Sequence, residues 1–210
     1  MRPIRLLAPA AVGAAALALS ACATTPYTGP VEVTRFVAPD PAGLGAGPLV
    51  VYFPDEVSNA VARTAMKTAV ERELAALGYS IVAQEGPGIQ VAAVRTSRTG
   101  IAAIEDGRGP VSVGVGGQTG SFGSGLGMGV GINLGGGRES PSVLTDLSVR
   151  ITRADGETLW EGRSQIATGV KSPYSQIDAS ARTLAAGLFK DFPGGNGETV
   201  TINVKKLQGN

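Results

Sequence analysis

Residues 142–168 constrain the fold more than any other part of the chain. Between Ser142 and Thr168 two runs of alternating apolar and polar residues flank Asp155-Gly156. An Asp-Gly pair in that setting predicts a β-hairpin closed by a type I′ turn. Centring the turn there places opposite one another residues whose numbers sum to 311. Ile151 then faces Trp160, Val149 faces Gly162 and Leu147 faces Ser164, while Arg150 meets Glu161 on the other face as an opposite-charge pair. One face is mainly apolar and the other mainly polar. A slip of one residue would turn the apolar face outward, so the register is specified. On this reading Trp160 is a cross-strand core aromatic rather than a ligand-stacking ring.

Further elements follow from periodicity. Val31–Val37 alternates and predicts a strand, as do Leu49–Phe53, Tyr79–Ala83 and Ile89–Thr96, with a last strand over Glu198–Val204. A helix is expected over Asp55–Leu77, with Val57, Val61, Ala65, Ala69, Val70, Leu74 and Leu77 as its apolar stripe and Gly78 as its stop. A second helix, from Pro173 or Ser175 to Phe192, carries Ile177, Ala181, Leu184, Leu188 and Phe192 and is stopped by Pro193-Gly194-Gly195. The expected fold is therefore α+β and two-layered: a mostly antiparallel sheet with two helices packed on one face.

Residues 107–137 break this pattern, with 14 glycines in 31 positions. Val111, Val113 and Val115 alternate, and so do Leu126, Met128, Val130, Ile132 and Leu134 against Gly127, Gly129, Gly131 and Asn133. Three readings compete. Gly123, Gly127, Gly131 and Gly135 match the spacing of packed membrane helices, but each glycine costs a helix about 1 kcal/mol. A mobile low-complexity loop is the second. The third, which the alternation favours, is a Gly-rich β-hairpin insertion with one bare face. That face suits partner binding or self-association by strand addition, with Gly127, Gly129 and Gly131 as the contact.

Composition narrows the chemistry. The chain has no His and one Cys among 210 residues, which removes His-based triads, imidazole zinc sites and an internal disulfide framework. There are 18 basic and 17 acidic residues, so nothing recommends nucleic acid as a partner. No phosphate-binding loop or nucleophile elbow occurs, and no cofactor or metal is expected. Glu71/Glu73 and Glu105/Asp106 read as solvated helix and turn charges rather than acid–base pairs. Arg95, Arg98 and Arg108 read as an exposed strand end that could meet a lipid headgroup or a cell-wall carboxylate.

The N-terminus is an address. Arg2 and Arg5 precede a fourteen-residue apolar run, Leu6–Leu19, which is short for a membrane-spanning helix. The run closes with Leu19-Ser20-Ala21-Cys22, which resembles the lipobox of bacterial lipoproteins. The resemblance implies cleavage before Cys22 and lipid attachment to its thiol, making residues 1–21 a signal peptide. Ala23 in place of Asp resembles the outer-membrane sorting default. Residues 22–30 would then be a flexible tether, 31–204 a single domain and 205–210 a C-terminal tail. The mature chain would have 189 residues, with Arg2 and Arg5 gone and 16 basic against 17 acidic residues, net −1.

The element order, with Glu73-Leu-Ala-Ala-Leu-Gly-Tyr79 ending a helix and Ala154-Asp-Gly-Glu-Thr-Leu-Trp-Glu-Gly162 in a late hairpin, resembles the domain of unknown function 4136 family over roughly Val31 to Val204. These are bacterial lipoproteins with a Gly-rich insertion before the Trp hairpin. The pattern is more distantly similar to envelope lipoproteins that assist assembly or regulate cell-wall synthesis. The resemblance implies no catalytic residues. The expected function is that of a lipid-anchored, periplasm-facing outer-membrane lipoprotein that binds or helps assemble an envelope partner. The other readings are a purely structural component and a carboxylate- or Ser/Lys-dependent hydrolase of cell-wall material.

Overall fold

The computed structural model describes residues 25–57, 59–101 and 142–207. Among the described residues, seven strands and two α-helices follow in the order β1 (Thr28–Val37), β2 (Gly47–Tyr52), α1 (Ala60–Ala76), β3 (Tyr79–Val82), β4 (Gln90–Ile101), β5 (Ser142–Thr152), β6 (Thr158–Gly169), α2 (Ile177–Phe189) and β7 (Thr199–Ile202). All seven strands join one sheet in the order β3-β2-β4-β5-β6-β1-β7. The class is α+β. The sheet is mixed rather than simply antiparallel, because β2 runs parallel to both of its neighbours, β3 and β4. The helix between β2 and β3 carries the chain back to the end where β2 began, as a parallel neighbour requires.

The hairpin register matches the sequence arithmetic pair for pair: Leu147 with Ser164, Val149 with Gly162, Arg150 with Glu161 and Ile151 with Trp160. The turn type differs. Gly156 has φ of 91°, but Asp155 is not in the left-handed region, and a type I′ turn requires φ above zero at both central residues. Instead Gly156 N–H donates to the carbonyl of Arg153 and Arg153 N–H to that of Glu157. A register shift between Ile151 and Thr152 then restores the predicted pairing.

α1 begins at Ala60, five residues later than expected. Asn59 caps it by accepting the Ala62 N–H at 3.0 Å. The helix ends at Ala76, with Leu77 as its C-cap and Gly78 at φ of 110°. Its buried residues are Met66, Ala69, Val70 and Leu74, whereas Val61 is 63% exposed. Nine residues separate Val61 from Val70, two and a half helical turns, so the two point to opposite sides. The expected stripe therefore spanned both faces, and Met66, outside it, is among the buried residues.

α2 is shorter than expected at both ends. Pro173–Ser175 forms a separate 3-10 turn, and the helix stops at Phe189. Its Ala181, Leu184, Ala185 and Leu188 are fully buried. The two helices touch one another and share one core with the inward side of the sheet, which includes Val31, Val33, Leu147, Val149, Ile151 and Trp160. β1 starts at Thr28, inside the segment read as tether. Val204–Leu207 forms a 3-10 turn, and Leu207, in the segment read as the C-terminal tail, packs against the core.

Candidate functional site

A cleft of ≈ 330 Å³ opens between the N-terminal ends of α1 and α2, above β4 and β5. Met66, Val94, Thr145 and Ser180 line its buried part, and Asp55, Asn59, Arg95 and Arg98 its mouth. Alternation of β4 sends Val94, Thr96 and Arg98 toward the helices, while Arg95 lies in the opposite phase. The Arg95 Nε donates to Asp55 Oδ2 at 2.8 Å. Arg98 donates through Nη2 to the carbonyl of Ser175. Thr96 donates its hydroxyl to the carbonyl of Asp146, and Ser180 to that of Ile177. Such a set could hold a ligand by charge and shape. Asp55 and Glu56 both line the cleft, and among the described residues no three Cys, Asp or Glu side chains group where they could hold a metal ion.

Cys22, Gly127, Gly129 and Gly131 lie outside the described residues, as do Arg108, Glu105, Asp106 and the whole expected Gly-rich hairpin. Of the three arginines read as a strand end, Arg95 and Arg98 both line the cleft mouth. Glu71 pairs with Lys67 at 3.2 Å and Glu73 with Arg72 at 2.8 Å, so both are engaged as helix-surface charges. Trp160 is fully buried, donates its indole N–H to the carbonyl of Pro193 at 2.9 Å, and stacks on Phe189 with centroids 5.5 Å apart.

Two charged groups escaped the sequence reading. Arg35 is 5% exposed and points among the core residues. Its Nε donates to the carbonyl of Leu188 at 2.8 Å, and its Nη2 to those of Gly187 at 2.9 Å and Lys190 at 2.8 Å. Burial holds this guanidinium below the usual arginine range, with the carboxylate of Asp191 opposing. The signal was its phase: Val31, Val33, Arg35 and Val37 share one side of β1. The second is Asp146, on the sheet side away from the helices, which accepts from Arg163 at 2.5 Å.

Burial raises the Asp146 carboxyl above the ordinary aspartate range, outweighing the Arg163 guanidinium, which is nearly half in solvent. An acid raised in the fold binds its proton more tightly there than in the unfolded chain. Its ionisation therefore removes stability as pH rises from about 4 through the folded value. Asp146→Asn cannot ionise and still offers Arg163 an oxygen. Its stability relative to the native chain is expected to rise with pH across that window, measured by urea unfolding at several pH values. Parallel pH profiles for the two chains would contradict this.

No family model matches the chain, and no curated protein matches it. Among solved structures it is similar to a PDZ domain protein from Parabacteroides distasonis, at 14% identity and a TM-score of 0.47, over 90% of this chain and 41% of that one. The chain thus spans less than half of that protein's length. It is also similar to two dodecameric PelC structures from Paraburkholderia phytofirmans, at 14% and 12% identity and a TM-score of 0.35 for both. These cover 75% of this chain and 92% and 93% of theirs.

Proposed function

We propose that this chain is a lipid-anchored cell-envelope lipoprotein of the domain of unknown function 4136 family, whose domain binds or helps assemble an envelope partner and performs no catalysis. The observation that carries the reading is the apolar run closed by Leu19-Ser20-Ala21-Cys22, with the chain's single cysteine at its end. Two or three acyl chains on that residue hold a soluble domain durably, where one gives only marginal binding. The placement is on the outer membrane, facing the periplasm.

The side chains favour binding over catalysis. Of the candidate carboxylates, Glu71 and Glu73 are committed to neighbouring cations, and in the cleft Asp55 is held by Arg95. Cys22→Ser is expected to abolish incorporation of labelled palmitate and to move the protein from the membrane fraction to the soluble one. Retained labelling or retained membrane association of that variant would overturn the assignment.

A further inference from the structure

Four separate segments converge at one end of the sheet. Thr28 pairs with Thr168, Arg98 with Thr145, Ile101 with Ser142, and Ser142 with Gly169. Side chains and backbone tie the segments together. Gly169 N–H donates to the carbonyl of Tyr27 at 2.8 Å. The hydroxyls of Thr28 and Ser172 bond at 2.7 Å. Ser175 donates to the carbonyl of Val170 at 3.0 Å, and its own carbonyl accepts from Arg98.

Two properties set this end apart. Tyr27 is 40% and Val170 45% exposed, and the pairing of Tyr27 with Gly169 makes them near neighbours. In addition, Lys171 directly follows Val170, while Asp55 and Glu56 lie with Arg98 around the cleft mouth at this end. An exposed aromatic and an exposed aliphatic side chain with a lysine directly beside them match the boundary between acyl chains and phospholipid headgroups.

Chain length brings that boundary within reach. Tyr27 lies five residues after Cys22, a span of at most about 18 Å when fully extended. The opposite end of the sheet, at the β5–β6 turn, is ten strand steps beyond Ser142, about 33 Å further away. We infer that the domain rests on the bilayer by this end, with Tyr27 and Val170 at headgroup level and Lys171 against phospholipid phosphates. This inference rests on the proposed anchor at Cys22. It also orients the molecule: the cleft mouth at Arg98 faces the lipid side, and the hairpin turn at Asp155-Gly156 faces away.

The test uses the full lipidated protein in vesicles of phosphatidylcholine with one-fifth phosphatidylglycerol. Val170→Cys, and separately Ala154→Cys at the exposed β5–β6 turn, are labelled with an environment-sensitive nitrobenzoxadiazole dye. With Cys22 acylated, each introduced thiol is the only free one. Nitroxide-bearing lipids are expected to quench the dye at position 170 at least threefold more than the dye at 154. Equal quenching at the two positions would overturn the inference while leaving the anchor intact. So would a dye at 170 shielded from aqueous iodide yet untouched by the lipid nitroxide, because protein rather than bilayer would then cover the patch. Dye recovered on the peptide containing Cys22 would show an unacylated thiol, and the anchor and the inference would fall together.

Discussion

Arg35→Met is expected to destabilise the domain by about 3 kcal/mol, the range for losing hydrogen bonds to a buried charged group. The last four carbonyls of a helix have no partner within it, and α2 ends at Phe189 without a glycine cap. Arg35 takes three of the carbonyls at that end, those of Gly187, Leu188 and Lys190, with one side chain. Its positive charge also lies at the negative end of the helix dipole. Methionine would fill the space of the stem and leave the carbonyls dry and unpaired. For a domain of this size the loss corresponds to a melting point lower by roughly 6–12 °C, read by calorimetry. Arg35→Lys keeps the charge but lacks the planar fork, so it should fall between the two. A methionine variant as stable as the native chain would show that the three bonds contribute little.

Gly162→Ala is the second large effect, and its cause is close approach. A Cβ on Gly162 would collide with Trp160 Cη2 and would lie 2.7 Å from Trp160 Cζ2 and 2.8 Å from Leu188 Cδ1. The indole cannot swing clear without losing its bond to Pro193 and its packing against Phe189 and Phe192. Overpacking of this kind costs about 1–3 kcal/mol, and the rigidity of the ring places this site near the upper limit. Near-ultraviolet circular dichroism should lose intensity as Trp160 shifts. The double variant with Trp160→Leu separates the cause: once the indole is gone, adding Gly162→Ala should cost less than about 1 kcal/mol. Strict additivity would mean that Trp160 is not what excludes a larger residue.

The hairpin was legible because two independent signals agreed. Its alternation fixed which side chains face inward, and Asp155-Gly156 fixed where the chain reverses. The turn type was not legible, since Asp-Gly serves several turns and the register shift at Thr152 depends on how the strands coil. Helix α1 was misphased because Val57 and Val61 are apolar but precede or oppose the buried side. Ala60, Val61, Ala65 and Ala69 instead line a groove of ≈ 460 Å³ with Asp178 and Arg182 of α2. Alternation along β2 and β4 says which residues face inward but not that these strands are parallel neighbours. The cleft was invisible for the same reason: it exists only where two helix ends meet β4, although its Arg95 and Arg98, with Arg108, read from the sequence as an exposed strand end. The reading of Arg35 as one more residue of an amphipathic strand missed that an inward-phased cation needs acceptors, and here the helix end supplies them.

The central claim is that Cys22 carries lipid. Mass spectrometry of the protein extracted from membranes tests it most directly, because trypsin would release a single N-terminal peptide from Cys22 to Arg35. The account predicts that this peptide begins at Cys22 and carries the added mass of a diacylglyceryl group, with or without a further acyl chain on its amino group. A chain beginning at Met1, or a peptide from residue 22 onward with an unmodified thiol, would contradict it.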